Sequence, residues 1–100
     1  MYYALICEEL PGALQRRIDN RAAHVERLKA LEAEGRLLLA GPHPAIDSAD
    51  PGPAGFSGSL IVAEFASREA AIAWAAEDPY CLANVFSHVT VKPFKKTLPA

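Results

Sequence analysis

"YYALICEELPGALQRRIDNRAAHVERLKALEAEGRLLLAGP", Tyr2 to Pro42, changes its apolar spacing twice. Its first six residues, "YYALIC", are a short apolar run rich in strand formers, stopped by Glu8, Glu9 and Pro11. From about Ala13 to Glu34 the apolar positions recur at helical spacing, and Gly35 is suited to end that helix. "RLLLAG", Arg36–Gly41, then resumes an extended run. The stretch predicts strand, helix, strand.

Downstream, "PHPAIDSADPGPAG" (Pro42–Gly55) carries four prolines and two glycines and is expected to hold no regular structure. "SGSLIVAEF" (Ser57–Phe65) reads as the next strand. Ser67 is placed to cap a helix over "SREAAIAWAAE", with Glu69 in its first turn. "DPYCLANVF" restarts with Asp78 as an N-cap and Pro79 at the first helical position. "HVTVKPF" (His88–Phe94) is a final strand. The order β-α-β-β-α-β is the split βαβ plan of a ferredoxin-like α+β subunit, and residues 1–100 read as one domain. Such a sheet covers one face with helices. "YYALIC" and "SLIVAEF" nevertheless offer apolar residues to both faces, so a second sheet is expected on the bare one, most simply from an identical subunit. A homodimer follows.

Ten Lys and Arg against twelve Asp and Glu give a net charge of −2, which supplies no electrostatic reason to bind nucleic acid. The one basic cluster, "KPFKK" (Lys92–Lys96), is too short to alter that. No apolar stretch approaches the roughly 20 residues a membrane span needs. The N-terminus lacks the positive region of a secretory signal, and Cys7 and Cys81 lack CxxC spacing, so reduced thiols and a cytoplasmic home are expected.

The long helix has a flaw. Wound at about 100° per residue, Leu14, Ile18, Ala22, Val25 and Leu28 make an apolar stripe. Arg21 falls inside it, and Arg17 and His24 lie on its flank. One reading is that the arginine stems pass the core edge and pair with surface carboxylates. The other is a cationic pocket wall that binds an anion, with His24 set for proton transfer. Arg16 and Arg27 point away and read as solvated. Asp78 is explained as a helix cap, and equally as a carboxylate that fixes the tautomer of His24. Long loops such as Pro42–Gly55 are often lids or binding loops, though "SADPG" is also a plain turn string. Ser48 in that loop and Tyr80 complete the set expected to touch a ligand, with core packing the alternative for Tyr80. His24, His43 and His88 stand singly, without zinc-ligand spacing, and no phosphate loop, dinucleotide fingerprint or GxSxG occurs. No cofactor is expected.

The strings "RRIDNRAAHVERLKALEAEGRLLLAGP", "PAIDSADPGPAGFSGSLIVAEF", "WAAEDPY" and "VTVKPFKK" resemble the YciI-like family (YCII-related domain) over nearly the whole chain. The resemblance implies a ferredoxin-like subunit in a dimeric α+β barrel, similar in fold to muconolactone isomerase, with a cleft in each subunit. It implies a histidine and an aspartate as the active pair: His24 in "RxxH" and Asp78 in "DPY". It also implies relatives that act as dehydrochlorinases or related lyases. The expectation is therefore an isomerase- or lyase-like acid–base enzyme on a small anionic molecule, with His24 and Asp78 catalytic and Arg17, Arg21, Ser48 and Tyr80 on the substrate. The alternative is a dimer that binds or senses such a molecule without chemistry. A third reading is an interaction protein that docks through "KPFKK".

Overall fold

β1 (Tyr2–Glu9) lies between β3 (Phe56–Glu64) and β4 (Phe86–Phe94), and β2 (Leu37–Pro44) closes the far edge, in the computed structural model of residues 1–100. All three pairings are antiparallel, in the order β2-β3-β1-β4. α1 (Leu14–Ala33) connects β1 to β2, and α2 (Arg68–Ala76) with α3 (Pro79–Leu82) connects β3 to β4. This is the ferredoxin-like α+β plan.

The sheet sorts its side chains by parity. Tyr3, Leu5 and Cys7 are buried, as are Ala63 and Ile61, which stand opposite Tyr3 and Leu5 on β3. These residues meet Leu31 of α1, Ala71 and Ala75 of α2 and Tyr80 of α3 in one core. The alternate positions, Ala4 and Ile6 facing Val62 and Leu60, point to the side that lacks helices. Leu39 and Phe94, half-exposed, lie on strands flanking that apolar face.

Local chemistry sets the element ends. Gly35 takes φ +72° after α1, and the Arg36 N–H returns to the Leu31 carbonyl at 2.9 Å. Ser67 caps α2 by accepting the Ala70 N–H at 3.0 Å. Gly58 is demanded by crowding: at φ +159°, a Cβ there would stand 1.9 Å from the Cys7 carbonyl oxygen.

Four boundaries differ from the sequence reading. β1 does not stop after Cys7 but runs through Glu9, because Glu8 pairs with Gly58 and His88 and Glu9 with Phe86. β2 continues through Pro42, His43 and Pro44, pairing them with Ser59, Gly58 and Phe56. An edge strand tolerates proline because half its N–H groups have no ladder partner. The remaining loop is shorter than expected and contains a 3₁₀ turn at Gly52–Ala54, closed by the Ala45 N–H on the Gly55 carbonyl at 2.9 Å. β4 begins at Phe86 rather than His88, because a register shift at Glu8/Glu9 lets Phe86 pair with Glu9.

The larger correction concerns α1. Its buried residues are Arg17, His24 and Leu31, while Ile18 is 57% exposed and Arg21 and Ala22 face out. The apolar stripe is therefore only half turned in: Leu14, Val25 and Leu28 are half-buried, with Leu28 against the core, while Ile18 and Ala22 face out. The polar residues placed on its flank are the ones that go in.

Candidate active site

α1 and β2 diverge enough to leave a cleft of about 460 Å³ between them. Arg21, Val25 and Leu28 of α1 form one wall, and β2 from Leu37 to Pro42 forms the other. Ser59 and Ile61 of β3, Tyr80 of α3, and the inward Arg17 and His24 complete its lining.

His24 is 6% exposed and Asp78 2%. The His24 Nδ1–H donates to Asp78 Oδ1 at 2.8 Å across 54 residues of sequence. An ionised carboxylate only accepts, so this bond assigns the ring proton to Nδ1. In the neutral ring Nε2 is then the lone-pair nitrogen. No protein group bonds it, and no partnerless side-chain nitrogen is sealed from solvent, so Nε2 is open on the cleft side. The imidazole stacks on Tyr80, with centroids 3.9 Å apart and planes 13° apart, and meets the edge of Phe86 at 6.3 Å. Stacking and hydrogen bond together hold the ring orientation.

Asp78 is also the cap of α3. Its Oδ1 accepts the Tyr80 N–H at 2.9 Å, with Pro79 at the first helical position. Cap and partner of His24 are thus one role, since the extended backbone of a capping residue aims its carboxylate back along the helix start. Asp78 Oδ2 accepts from Arg27 Nη1 at 3.1 Å, and the Arg27 guanidinium lies 4.2 Å from the centre of the Trp74 ring. This corrects the reading of Arg27 as merely solvated. The signal available was its spacing, three residues and so one turn beyond His24. Arg16 does sit at the surface, on the Asn84 carbonyl at 3.0 Å.

Arg17 enters the core because its charge is matched there. Its Nη2 lies 2.6 Å from Glu9 Oε1 and donates to Ser59 Oγ at 3.0 Å and to the Gly58 carbonyl at 3.2 Å. Its guanidinium carbon stands 4.8 Å from the Tyr80 ring centre and 4.9 Å from that of Phe56. Arg17 therefore lines the cleft as half of a buried ion pair, not as a free cation. Glu9 was missed in the sequence. A buried arginine demands such a carboxylate, but spacing does not say which.

The unpaired cations on the cleft are Arg21 and Lys29, with Glu32 the one acidic group on its lining. Burial pushes the Tyr80 phenol above its ordinary 10.0, against the pull of Arg17, so its hydroxyl keeps its proton. Burial likewise pushes the Cys7 thiol from 9.0 up to about 12, with the charges of Cys81 and Asp78 adding, and raises Cys81. Neither thiol is an activated nucleophile. Ser48 is not brought to the cleft. Its hydroxyl donates to the Asp50 carbonyl at 3.0 Å and accepts the Asp50 N–H at 3.3 Å, within its own loop. No three His, Cys, Asp or Glu side chains are grouped to hold a metal ion.

Fold and site together define a ferredoxin-like protein with a buried histidine–aspartate pair opening on a small polar-rimmed cleft. The chain belongs to the YCII-related domain family, whose pattern matches residues 1–95. It is 55% identical over 96 residues to Protein YciI of Escherichia coli O6:H1 (strain CFT073), covering 96% of this chain and 98% of that protein. An uncharacterized protein of Haemophilus influenzae is 51% identical over the same shares of the two chains. Among solved structures, the chain is similar to 5-chloro-2-hydroxyhydroquinone dehydrochlorinase (TftG) from Burkholderia phenoliruptrix AC1100, in complex with 2,5-dihydroxybenzoquinone. The TM-score is 0.83 at 28% identity, over 97% of this chain and 96% of that one. An enzyme in this fold is therefore plausible. No helix of the chain is long and apolar enough to cross a membrane.

Proposed function

We propose that this protein is an acid–base enzyme that takes a proton from, or returns one to, a small anionic organic molecule, in an isomerisation or an elimination. The observation that carries the reading is the His24–Asp78 bond at 2.8 Å with Nε2 left open on the cleft. His24 is the base, and Asp78 fixes its tautomer and stabilises the imidazolium formed when Nε2 takes the proton. Arg21 holds an anionic oxygen of the substrate at the cleft mouth, and the protonated Tyr80 hydroxyl donates to charge that develops beside the carbon losing its proton. The proton can then return at a second carbon, or a leaving group departs. The likeness to a dehydrochlorinase supports the elimination branch.

A dimer is part of this proposal: the helix-free sheet face, with the half-buried Ile6 and Leu60, is the surface a second copy would cover. So is a cytoplasmic location, supported by two unpaired thiols. The reading of a binding protein without chemistry draws on the two unpaired cations, which favour an anion whether or not it reacts.

The test uses 5-chloro-2-hydroxyhydroquinone as probe substrate and 2,5-dihydroxybenzoquinone as probe ligand. Chloride release is expected from the wild type and lost at least about 100-fold in His24→Ala, the scale of one general base. Binding of the quinone that weakens in Arg21→Ala, with no chloride release by any variant, would favour the non-catalytic reading. Release that continues at near wild-type rate in His24→Ala would end the proposal.

A further inference from the structure

Asp78 is a buried carboxylate with three donors: the His24 Nδ1–H, the Tyr80 N–H and Arg27 Nη1. Only one of the three carries a permanent charge, because a guanidinium does not deprotonate in proteins. Arg27 is itself held in place. Its plane lies over Trp74 at 4.2 Å, and its side chain is 24% exposed, so it reaches Asp78 from the surface without a full desolvation cost.

The other charged and titratable groups near the pair do not substitute for it. From α1, Arg17 is committed to Glu9 of β1 at 2.6 Å, and Arg21 opens on the cleft. From α3, Tyr80 presents its neutral phenol ring to His24, and Cys81 lies on the Asp78 side. From β1, Cys7 is a protonated thiol in the same region. β4 contributes the apolar Phe86 and Val89, and β3 the apolar Ile61 and the neutral Ser59. Asp78 has no cation in ion-pair contact except Arg27 and, when protonated, His24.

We infer that Arg27 is a positioning residue: by balancing Asp78 it frees His24 from supplying the counter-charge, so that Nε2 stays without a proton and able to accept one. The inference rests on the proposed function and deepens it. Without Arg27, the buried carboxylate would be matched by drawing a second proton onto His24. The base facing the cleft would become an acid. Arg27 acts through Asp78 and does not line the cleft, so its part is in the protonation state and not in substrate contact.

The full-length 15N-labelled protein tests this without a substrate. Long-range 1H–15N correlation spectra of the His24 ring, at one fixed pH near neutrality, are compared for wild type, Arg27→Met, Arg27→Gln and Arg27→Lys. The share of His24 with protons on both nitrogens is expected to rise in Arg27→Met and to fall back toward wild type in Arg27→Lys. Arg27→Gln keeps a donor for Oδ2 without the charge and should show the same rise, and it serves if Arg27→Met does not fold. An unchanged share in Arg27→Gln or Arg27→Met, with the Nδ1 proton still present, overturns the inference and leaves the His24–Asp78 pair standing. A wild-type ring with no proton on Nδ1 overturns both.

Discussion

Asp78 is where the cap of α3, the bond to His24 and the bond to Arg27 meet, and single substitutions there should separate these contacts. Asp78→Ala leaves the Tyr80 N–H, the His24 Nδ1–H and Arg27 without their acceptor in a site 2% exposed. Removing one partner of a buried charged network typically costs about 3–5 kcal/mol. Urea denaturation should show a loss of that order, with a smaller loss in Asp78→Asn, which keeps an acceptor for the cap. A loss below about 1 kcal/mol in Asp78→Ala would mean the network is not closed as described. At this scale much of the site was legible. Asp78 is marked by Asp-Pro opening a helix and His24 by its place beside Arg17 and Arg21, and the family resemblance names the two as a pair. Arg27 and Glu9 did not, because their partners lie 51 and 8 residues away and only the packed fold brings them together. Ser48 was chosen for its loop, and the loop turned its hydroxyl onto itself.

α1 shows at the scale of an element why helical periodicity was informative and yet misleading. A moment computed from apolarity assumes that polar residues face water. Here Arg17 and His24 face in because each meets a carboxylate from another element, and Ile18 is displaced to the surface. The element's existence and ends were readable; its rotation was not. Two consequences follow. Glu9→Gln strands the Arg17 charge at 6% exposure and should cost about 3–5 kcal/mol by denaturation, whereas Glu9→Leu combined with Arg17→Met should recover much of that loss. Non-recovery would show that the pair is worth more than an apolar replacement. In β3, Gly58→Ala places a methyl 1.9 Å from the Cys7 carbonyl oxygen. The strand must shift, at a cost of roughly 1–3 kcal/mol, and amide exchange at the Glu8–Gly58 end of the β1–β3 ladder should accelerate before that at the Tyr3–Ala63 end. The proline-rich loop erred in the opposite direction: Pro42 and Pro44 read as breakers, yet an edge strand has room for both.

At the scale of the whole molecule, the parity of β1 and β3 was legible in full, since both faces of the sheet carry apolar residues as the sequence implies. What covers the bare face belongs to the proposal. Sedimentation of the wild type should give a dimer, and Leu60→Lys, half-buried on that face opposite Ile6, a monomer; a monomeric wild type would remove the dimer from the account. The core also sets a pH response. Cys7 in the folded chain holds its proton up to about 12, against 9.0 for a free thiol. The stabilisation is complete below pH 9 and is lost as pH rises from there toward 12, because the unfolded chain ionises first. Stability measured above pH 9 should therefore decline less steeply in Cys7→Ala than in wild type. In the proposed mechanism this architecture serves one atom, Nε2 of His24, and the most direct measurement is its protonation in the free wild-type protein near neutral pH, read by 1H–15N correlation. The account predicts a ring with its proton on Nδ1 and a bare Nε2 that shifts when 2,5-dihydroxybenzoquinone is added. A ring protonated on Nε2 alone would contradict it, since His24 would then present the cleft with a donor and have no base to offer.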